Sequence, residues 1–269
     1  MTSPWRPSKP VLSHVALCRT TSVKIIHKST AADAGAAAAT IIATIVRRHP
    51  RPVIGLATGS SPLPLYDALV KENLDLSGAQ GFALDEYVGL PDGDARSYAH
   101  FIETEVIERL GMSPDLVHVP RAGPLEDGAG TLFENAIRQA NGIDVQILGI
   151  GSNGHIGFNE PGSSFSSRTR VVTLAESTRA SNARFFASPE DVPRKAITQG
   201  LATIFEARHL LLIAHGEGKA SAVQRAIHGP ISQDFPASMI QFHPSVTVVL
   251  DHAASSKLTP QQPDNANRK

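Results

Sequence analysis

RPVIGLATGSSPLPLYDALVKEN, residues 51 to 73, is the stretch that decides the fold class. The run 51–57 reads as a buried strand, apolar along nearly its whole length rather than on alternate residues. It turns through Thr58, Gly59, Ser60 and Ser61 into a segment that reads as a helix, with Pro62 suited to the first helical turn. The same order recurs along the chain. VKIIH (23–27) leads into a helix over 29–49, capped by Ser29 or Thr30. FALDEY (82–87) reads as one strand and is followed by the helix SYAHFIETEVIERLG, capped by Ser97 and stopped at Gly111. LVHVP (116–120) precedes the helix LFENAIRQANG, and HLLLIAH (209–215) precedes the helix-like GKASAVQRAIHG. IDVQILGI (143–150) and VTVVLD (246–251) are further strands. Apolar strands alternating with helices predict an α/β fold, a single three-layer Rossmann-like domain with a mostly parallel sheet.

No linker composition or internal repeat divides 23–255, which predicts one domain. Residues 1–22 carry Pro, Ser, Arg and Lys and no acid, the first acidic residue being Asp33. They read as a disordered N-terminal extension or an upstream start, in preference to a transit peptide, because no amphipathic helix or cleavage pattern stands out. Residues 256–269 read as a loose polar tail.

Composition narrows the function. Lys+Arg and Asp+Glu both total 25, so no global field favours nucleic acid or an anionic membrane as partner. Cys18 is the one cysteine, which excludes a disulfide framework and a cysteine-rich zinc site. No apolar run approaches the roughly 18 residues that span a bilayer, and the expected setting is cytoplasmic.

In folds of this class ligands bind beyond the carboxyl ends of the strands, and three motifs fall there. The TGSSP turn offers hydroxyls and the free N–H groups of a helix start, a fit for phosphate or simply a capped turn. It lacks the nucleotide-triphosphate loop pattern. LDEY places Asp85 and Glu86 at a strand end, and strand alternation lets only one of them enter a given site. A buried carboxylate there suits a general base, whereas a solvated acidic turn is the plainer reading. In LGIGSNGHIGFNEPG (148–162), Gly149, Gly151 and Gly154 spell the dinucleotide fingerprint. Gly157, Pro161 and Gly162 then prevent the helix that fingerprint requires, so the glycines are read as letting backbone approach a small ligand. Asn153, His155, Asn159 and Glu160 crowd into eight residues, a density that favours a functional site over plain hydrogen-bonded structure.

The blocks LATGSSPLPLYDAL, FALDEYVGL, ILGIGSNGHIGFNEPGSSFSSRTRVVTL, STRASNARFF and AITQGLATIF resemble, in order, those of the glucosamine-6-phosphate deaminases, from about residue 23 to 251. DEYVGL together with GHIGFNEP is specific to that family; the related 6-phosphogluconolactonases usually lack the FNEP continuation. The resemblance implies conversion of D-glucosamine 6-phosphate and water to D-fructose 6-phosphate and ammonium, with no metal or organic cofactor. It implies that His155 opens the sugar ring, that Glu160 orients His155, and that Asp85 moves the proton from C2 to C1. Asn153 stands where family members carry Asp or Asn. Gly59, Ser60, Ser61, Arg184 and Lys219 correspond to the phosphate site. By their residue types alone, Arg184 and Lys219 would pass for ordinary surface cations.

Some family members are hexamers activated by N-acetylglucosamine 6-phosphate. Here Arg168 and Arg170 are kept, but Val172 replaces a lysine and the chain ends early, so the expectation is a protein without that activation. A homo-oligomer remains an expectation, a small-molecule sugar phosphate is the expected partner, and the Ser/Arg-rich segment 163–190 is a candidate lid. A lactonase-type hydrolase and a non-catalytic sugar-phosphate sensor are the alternatives. The sensor would normally carry a DNA-binding segment that residues 1–22 are too short to supply.

Overall fold

The computed structural model describes residues 23–122 and 128–258. The expected extension at 1–22, with Cys18, and most of the expected tail at 256–269 therefore lie outside the described residues. The elements run β1 (Lys24–His27), α1 (Ala31–Val46), β2 (Val53–Leu56), α2 (Leu63–Lys71), β3 (Gln80–Ala83), β4 (Asp85–Val88) and α3 (Tyr98–Ile102). A π-helical turn, Glu103–Ile107, joins α3 to α4 (Glu108–Leu110), and β5 (Val117–His118) and α5 (Ala129–Gln139) follow. Next come β6 (Val145–Leu148), β7 (Arg170–Thr173), α6 (Glu176–Asn182), β8 (Lys195–Thr198) and α7 (Leu201–Phe205). The chain closes with β9 (Leu210–Ala214), α8 (Ala220–His228) and β10 (Val246–Leu250).

Seven strands form one sheet in the order β1-β10-β9-β6-β2-β3-β5, every pairing parallel. The chain moves toward β5 through α1 and α2 and back toward β1 through α5 and α8. Right-handed crossovers therefore put these two pairs of helices on opposite faces, which makes three layers. Where α1 crosses α2, a Cβ on Gly35 would lie 2.2 Å from the Pro64 carbonyl oxygen, so the close crossing depends on that glycine. Thr30 caps α1 by accepting from Asp33 N (3.1 Å), Ser97 caps α3 by accepting from His100 N (3.1 Å), and Gly111 ends α4 at φ 66°. Pro62 sits at the cap of α2 rather than within its first turn. Strand residues such as Val145, Leu211 and Val248 are fully buried, as a sheet covered on both faces requires.

FALDEY does not make one strand. Leu84 N donates to Leu56 O (3.0 Å) in the large sheet, while Leu84 O accepts from Gln199 N (2.7 Å). The chain thus leaves the large sheet at Ala83 and enters a second, antiparallel sheet of order β4-β8-β7, with Asp85 opposite Thr198. β7 and β8 lie outside the strands expected from the sequence, and β7 and α6 occupy the segment expected as an irregular lid.

Candidate active site

The chain departs from β2 toward β3 on one side and from β6 toward β9 on the other, which opens a crevice at the carboxyl ends of β2 and β6. A cleft of about 450 Å³ lies there, lined by Thr58 to Ser61, Asp85, Gly151, His155, Arg184 and Lys219 among others. The segments after β2, β3, β6 and β9 all reach it.

At one end, Gly59 takes φ 82° and lets the turn after β2 open toward the cleft beside Ser60 and Ser61. The buried Tyr66 hydroxyl donates to Ala57 O (2.7 Å) and pins the strand end behind this turn. Lys219 Nζ donates to Ile150 O (2.7 Å), which holds the ammonium over the β6 exit. Burial, and secondarily the charge of Arg184, lowers the Lys219 pKa. The Arg184 guanidinium stacks 4.7 Å from the Phe185 ring centroid. Two cations, two hydroxyls and a helix start thus converge on one side of the cleft, an anion site by physical character.

Asp85 and Glu86 separate as strand alternation demands. Glu86 accepts from Tyr87 N (2.7 Å), Tyr98 N (3.0 Å) and Ala99 N (2.7 Å), so its carboxylate caps α3. Asp85 is 4% exposed and lines the cleft. Burial first, then the neighbouring Glu86 charge, pushes its carboxyl up to about 8. Beside it, Tyr87, Tyr98, Phe158 and Phe186 form an aromatic wall, with the Tyr87 and Tyr98 rings 4.9 Å apart.

The glycine loop after β6 supplies the third group. No helix begins between Gly149 and α6, so the dinucleotide reading is excluded by structure as well as by sequence. Gly149 and Gly151 line the cleft, and two of the glycines also make room for neighbouring rings. A Cβ on Gly151 would meet the His155 ring at 2.3–2.5 Å, and one on Gly154 would meet the Phe235 ring at 2.4 Å. His155 Nδ1 faces Glu160 Oε2 at 3.6 Å, longer than a hydrogen bond, and has no hydrogen-bond partner among the described residues. Glu160 Oε2 accepts from Asn153 Nδ2 (2.8 Å), and Glu160 Oε1 accepts from the Thr178 hydroxyl. Asn153 Oδ1 in turn accepts from His155 N (3.1 Å), so Asn153 clips the loop to the carboxylate. Burial raises the Glu160 carboxyl, but the His155 ring and the donors Thr178 and Asn153 outweigh it and hold the pKa below the usual value.

Asn159 turns out to be framework. It is fully buried, donates to Ile156 O (3.0 Å) and Gln199 O (2.7 Å), and accepts from Arg170 (2.9 Å). Arg168 is paired with Glu206 and Glu134. Thr178, Tyr87, Tyr98 and Arg96 line or brace the cleft without having been singled out from sequence. A hydroxyl at Thr178 carried no signal apart from its place in the STRASNARFF block. No group of three His, Cys, Asp or Glu side chains placed to hold a metal occurs among the described residues, and no described helix is long and apolar enough to cross a membrane.

A family model described as glucosamine-6-phosphate isomerases/6-phosphogluconolactonase matches residues 27–249. A glucosamine-6-phosphate deaminase of Pseudarthrobacter chlorophenolicus is 52% identical over 234 residues, 83% of this chain and 88% of that one. One from Bifidobacterium longum is 50% identical over 249 residues, 87% of this chain and 92% of that one. A solved structure of a monomeric glucosamine-6-phosphate deaminase is similar at TM-score 0.85 and 39% identity, covering 87% of this chain and 100% of that chain. The 6-phosphogluconolactonase from Trypanosoma cruzi, at 24% identity and TM-score 0.70 over 90% of this chain and 98% of that one, shares the fold.

Proposed function

The chain belongs to the glucosamine-6-phosphate isomerase/6-phosphogluconolactonase family, and from that premise we propose that it is a glucosamine-6-phosphate deaminase. It converts D-glucosamine 6-phosphate and water to D-fructose 6-phosphate and ammonium, a step of amino-sugar metabolism. The observation that carries the reading is the meeting, in one cleft, of an anion-binding end, a buried carboxyl and a histidine–carboxylate pair.

In this reading the 6-phosphate lies on the turn of Gly59, Ser60 and Ser61, neutralised by Arg184 and Lys219. His155 takes the anomeric hydroxyl proton and returns it to the ring oxygen, which opens the pyranose to the aldehyde. Glu160, held ionised by its two donors, keeps the imidazole oriented through that exchange. The C1 aldehyde acidifies the C2 proton. Asp85 removes that proton, the C2–H electron pair passes into the C1–C2 bond, and the carbonyl oxygen gains a proton as the C2 ammonium gives one up, which leaves a neutral enaminol. The same carboxyl then protonates C1, leaving a ketimine at C2. Water adds to the ketimine carbon, ammonia departs, and the ketone of fructose 6-phosphate remains.

A base whose carboxyl sits at about 8 is protonated in the resting enzyme near neutral pH. The substrate supplies the correction, because its C2 ammonium places positive charge beside Asp85 and draws the pKa down. The base is thereby charged when the amino sugar is bound. Stoichiometric release of ammonium and fructose 6-phosphate from glucosamine 6-phosphate tests the assignment. Absence of ammonium release by the folded protein would overturn it.

A further inference from the structure

We propose that Thr178 is a positioning residue for ring opening, its hydroxyl fixing the Glu160 carboxylate toward His155 and tying it to the segment that roofs the cleft; the proposal rests on the deaminase reading. Thr178 lies on α6 and is 5% exposed, and its hydroxyl donates to Glu160 Oε1 across eighteen residues of chain. Asn153 holds the other oxygen at 2.8 Å. With one donor on each oxygen, the carboxylate plane is fixed, and Oε2 is the atom presented to His155 Nδ1 at 3.6 Å. Removing the Oε1 donor frees the carboxylate to rotate about its terminal bond, a soft torsion, and the presented lone pair is no longer fixed. Threonine suits this task because β-branching leaves its side chain few rotamers on a helix.

The link has a second end. Ser181, Asn182, Arg184, Phe185 and Phe186, all within eight residues of Thr178, line the cleft. Arg179 anchors α6 from behind, on the carbonyls of Val192 (3.1 Å) and Pro189 (3.1 Å). Thr178 is therefore where α6, which leads directly into the turn bearing Arg184, grips the proposed acid–base pair. The side chains facing Glu160 are Asn153 and His155 from its own loop and Thr178 from α6, and His155 is the titratable one among them. Burial raises the Glu160 carboxyl and these neighbours lower it, so loss of the Thr178 donor moves it up. The ionised form is then lost at a higher pH as the solution is acidified.

The test compares wild type with Thr178→Val, Thr178→Ala and Thr178→Ser, reading kcat, KM, the pH profile and competitive inhibition by inorganic phosphate. Val and Ala should each lower kcat by about tenfold or more, the scale of a hydrogen bond to a charged group. The acid limb of kcat should move to higher pH in both, with phosphate inhibition within about twofold of wild type, while Ser restores both properties. A wild-type pH profile in the Val and Ala variants overturns the proposal. So does weakened phosphate inhibition with unchanged kcat, which would mean that the hydroxyl merely holds α6 in place. If wild type releases no ammonium, the deaminase reading falls first and the proposal with it.

Discussion

Asp85→Asn should make the empty protein more stable while destroying its activity, and the gain should grow with pH. The unfolded Asp85 titrates at 3.8 and the folded one at about 8, raised first by burial and then by the Glu86 charge. Between those values the folded state holds a proton that the unfolded state has released, so stability falls as pH rises. Each unit costs about 1.4 kcal/mol, which amounts to roughly 4 kcal/mol already at pH 7. An asparagine has the same shape and does not titrate, so the variant escapes that slope. Urea unfolding at pH 5 and at pH 7.5 should show the variant's advantage growing by about 3 kcal/mol between them. In thermal melts this is a relative rise of about 10 °C for a domain of this size. The neutral amide cannot take the C2 proton, and kcat should fall by about a thousandfold. An advantage that stays flat between pH 5 and 7.5 would refute the reasoning, since it would mean that the resting carboxylate is ionised and solvated. In the mechanism proposed above, the instability is the counterpart of function, a base kept dry until a cationic substrate arrives.

Other perturbations separate the remaining roles. Glu86→Gln leaves one acceptor oxygen for three backbone donors, and urea unfolding should show a loss of about 2 kcal/mol. Arg184→Met should raise KM for the sugar phosphate about tenfold and weaken inorganic phosphate inhibition in parallel, with unchanged KM counting against a phosphate role. Asn153→Asp sets a second carboxylate where an amide now donates to Glu160 Oε2 at 2.8 Å; the enzyme should stay within about tenfold of wild type, with its acid limb moved to higher pH. Initial rates should depend hyperbolically on substrate and ignore added N-acetylglucosamine 6-phosphate, since Val172 is a neutral side chain packed on the small-sheet core and Arg168 is paired with Glu206 within the chain.

The large sheet was legible because most of its strands are largely apolar and β1, β2, β5 and β9 each lead into a helix. The small sheet was not. β8 is four residues, KAIT, and β7 is half-buried with Arg170 at its head, so neither shows a sustained apolar run. Leu84 was hidden for a different reason: a residue that bonds one sheet through its N–H and another through its C=O leaves no mark in side-chain pattern. Motif chemistry pointed to Ser60, Ser61, Asp85 and His155 on the cleft wall but not to their division of labour, and Arg184 and Lys219 came only through the family resemblance. Asp85 and Glu86 are alike in composition, and alternation says that they part without saying which faces the cleft. Asn159 has the chemistry of a site residue and is nevertheless consumed by Ile156, Gln199 and Arg170.

That consumption is what holds the chemistry together. The TGSS turn, proposed to hold the phosphate, leaves the large sheet at β2, whereas Asp85 belongs to the small sheet, so the distance from that turn to the proposed base depends on how the two sheets are joined. Leu84 makes one joint, between Leu56 O at 3.0 Å and Gln199 N at 2.7 Å. Gln199 makes a second, its side-chain amide donating to Ala83 O (3.0 Å) at the last residue of β3. Asn159 closes the frame by holding Gln199 O, with Arg170 of β7 holding Asn159. The His155–Glu160 loop is fastened to the same frame, since Phe158 N donates to Thr198 Oγ1 (3.2 Å) in the strand opposite Asp85. Buried amides that donate across these segments resist displacement, because shifting any one of them strands a further polar group in the interior, where Gln199 Oε1 already lacks a partner among the described residues. A proton handed from C2 to C1 needs a base fixed to within a fraction of an ångström of a substrate gripped at its far end. The frame of Leu84, Gln199 and Asn159 supplies that fixity for the proposed base, with Leu84 itself at the cleft wall.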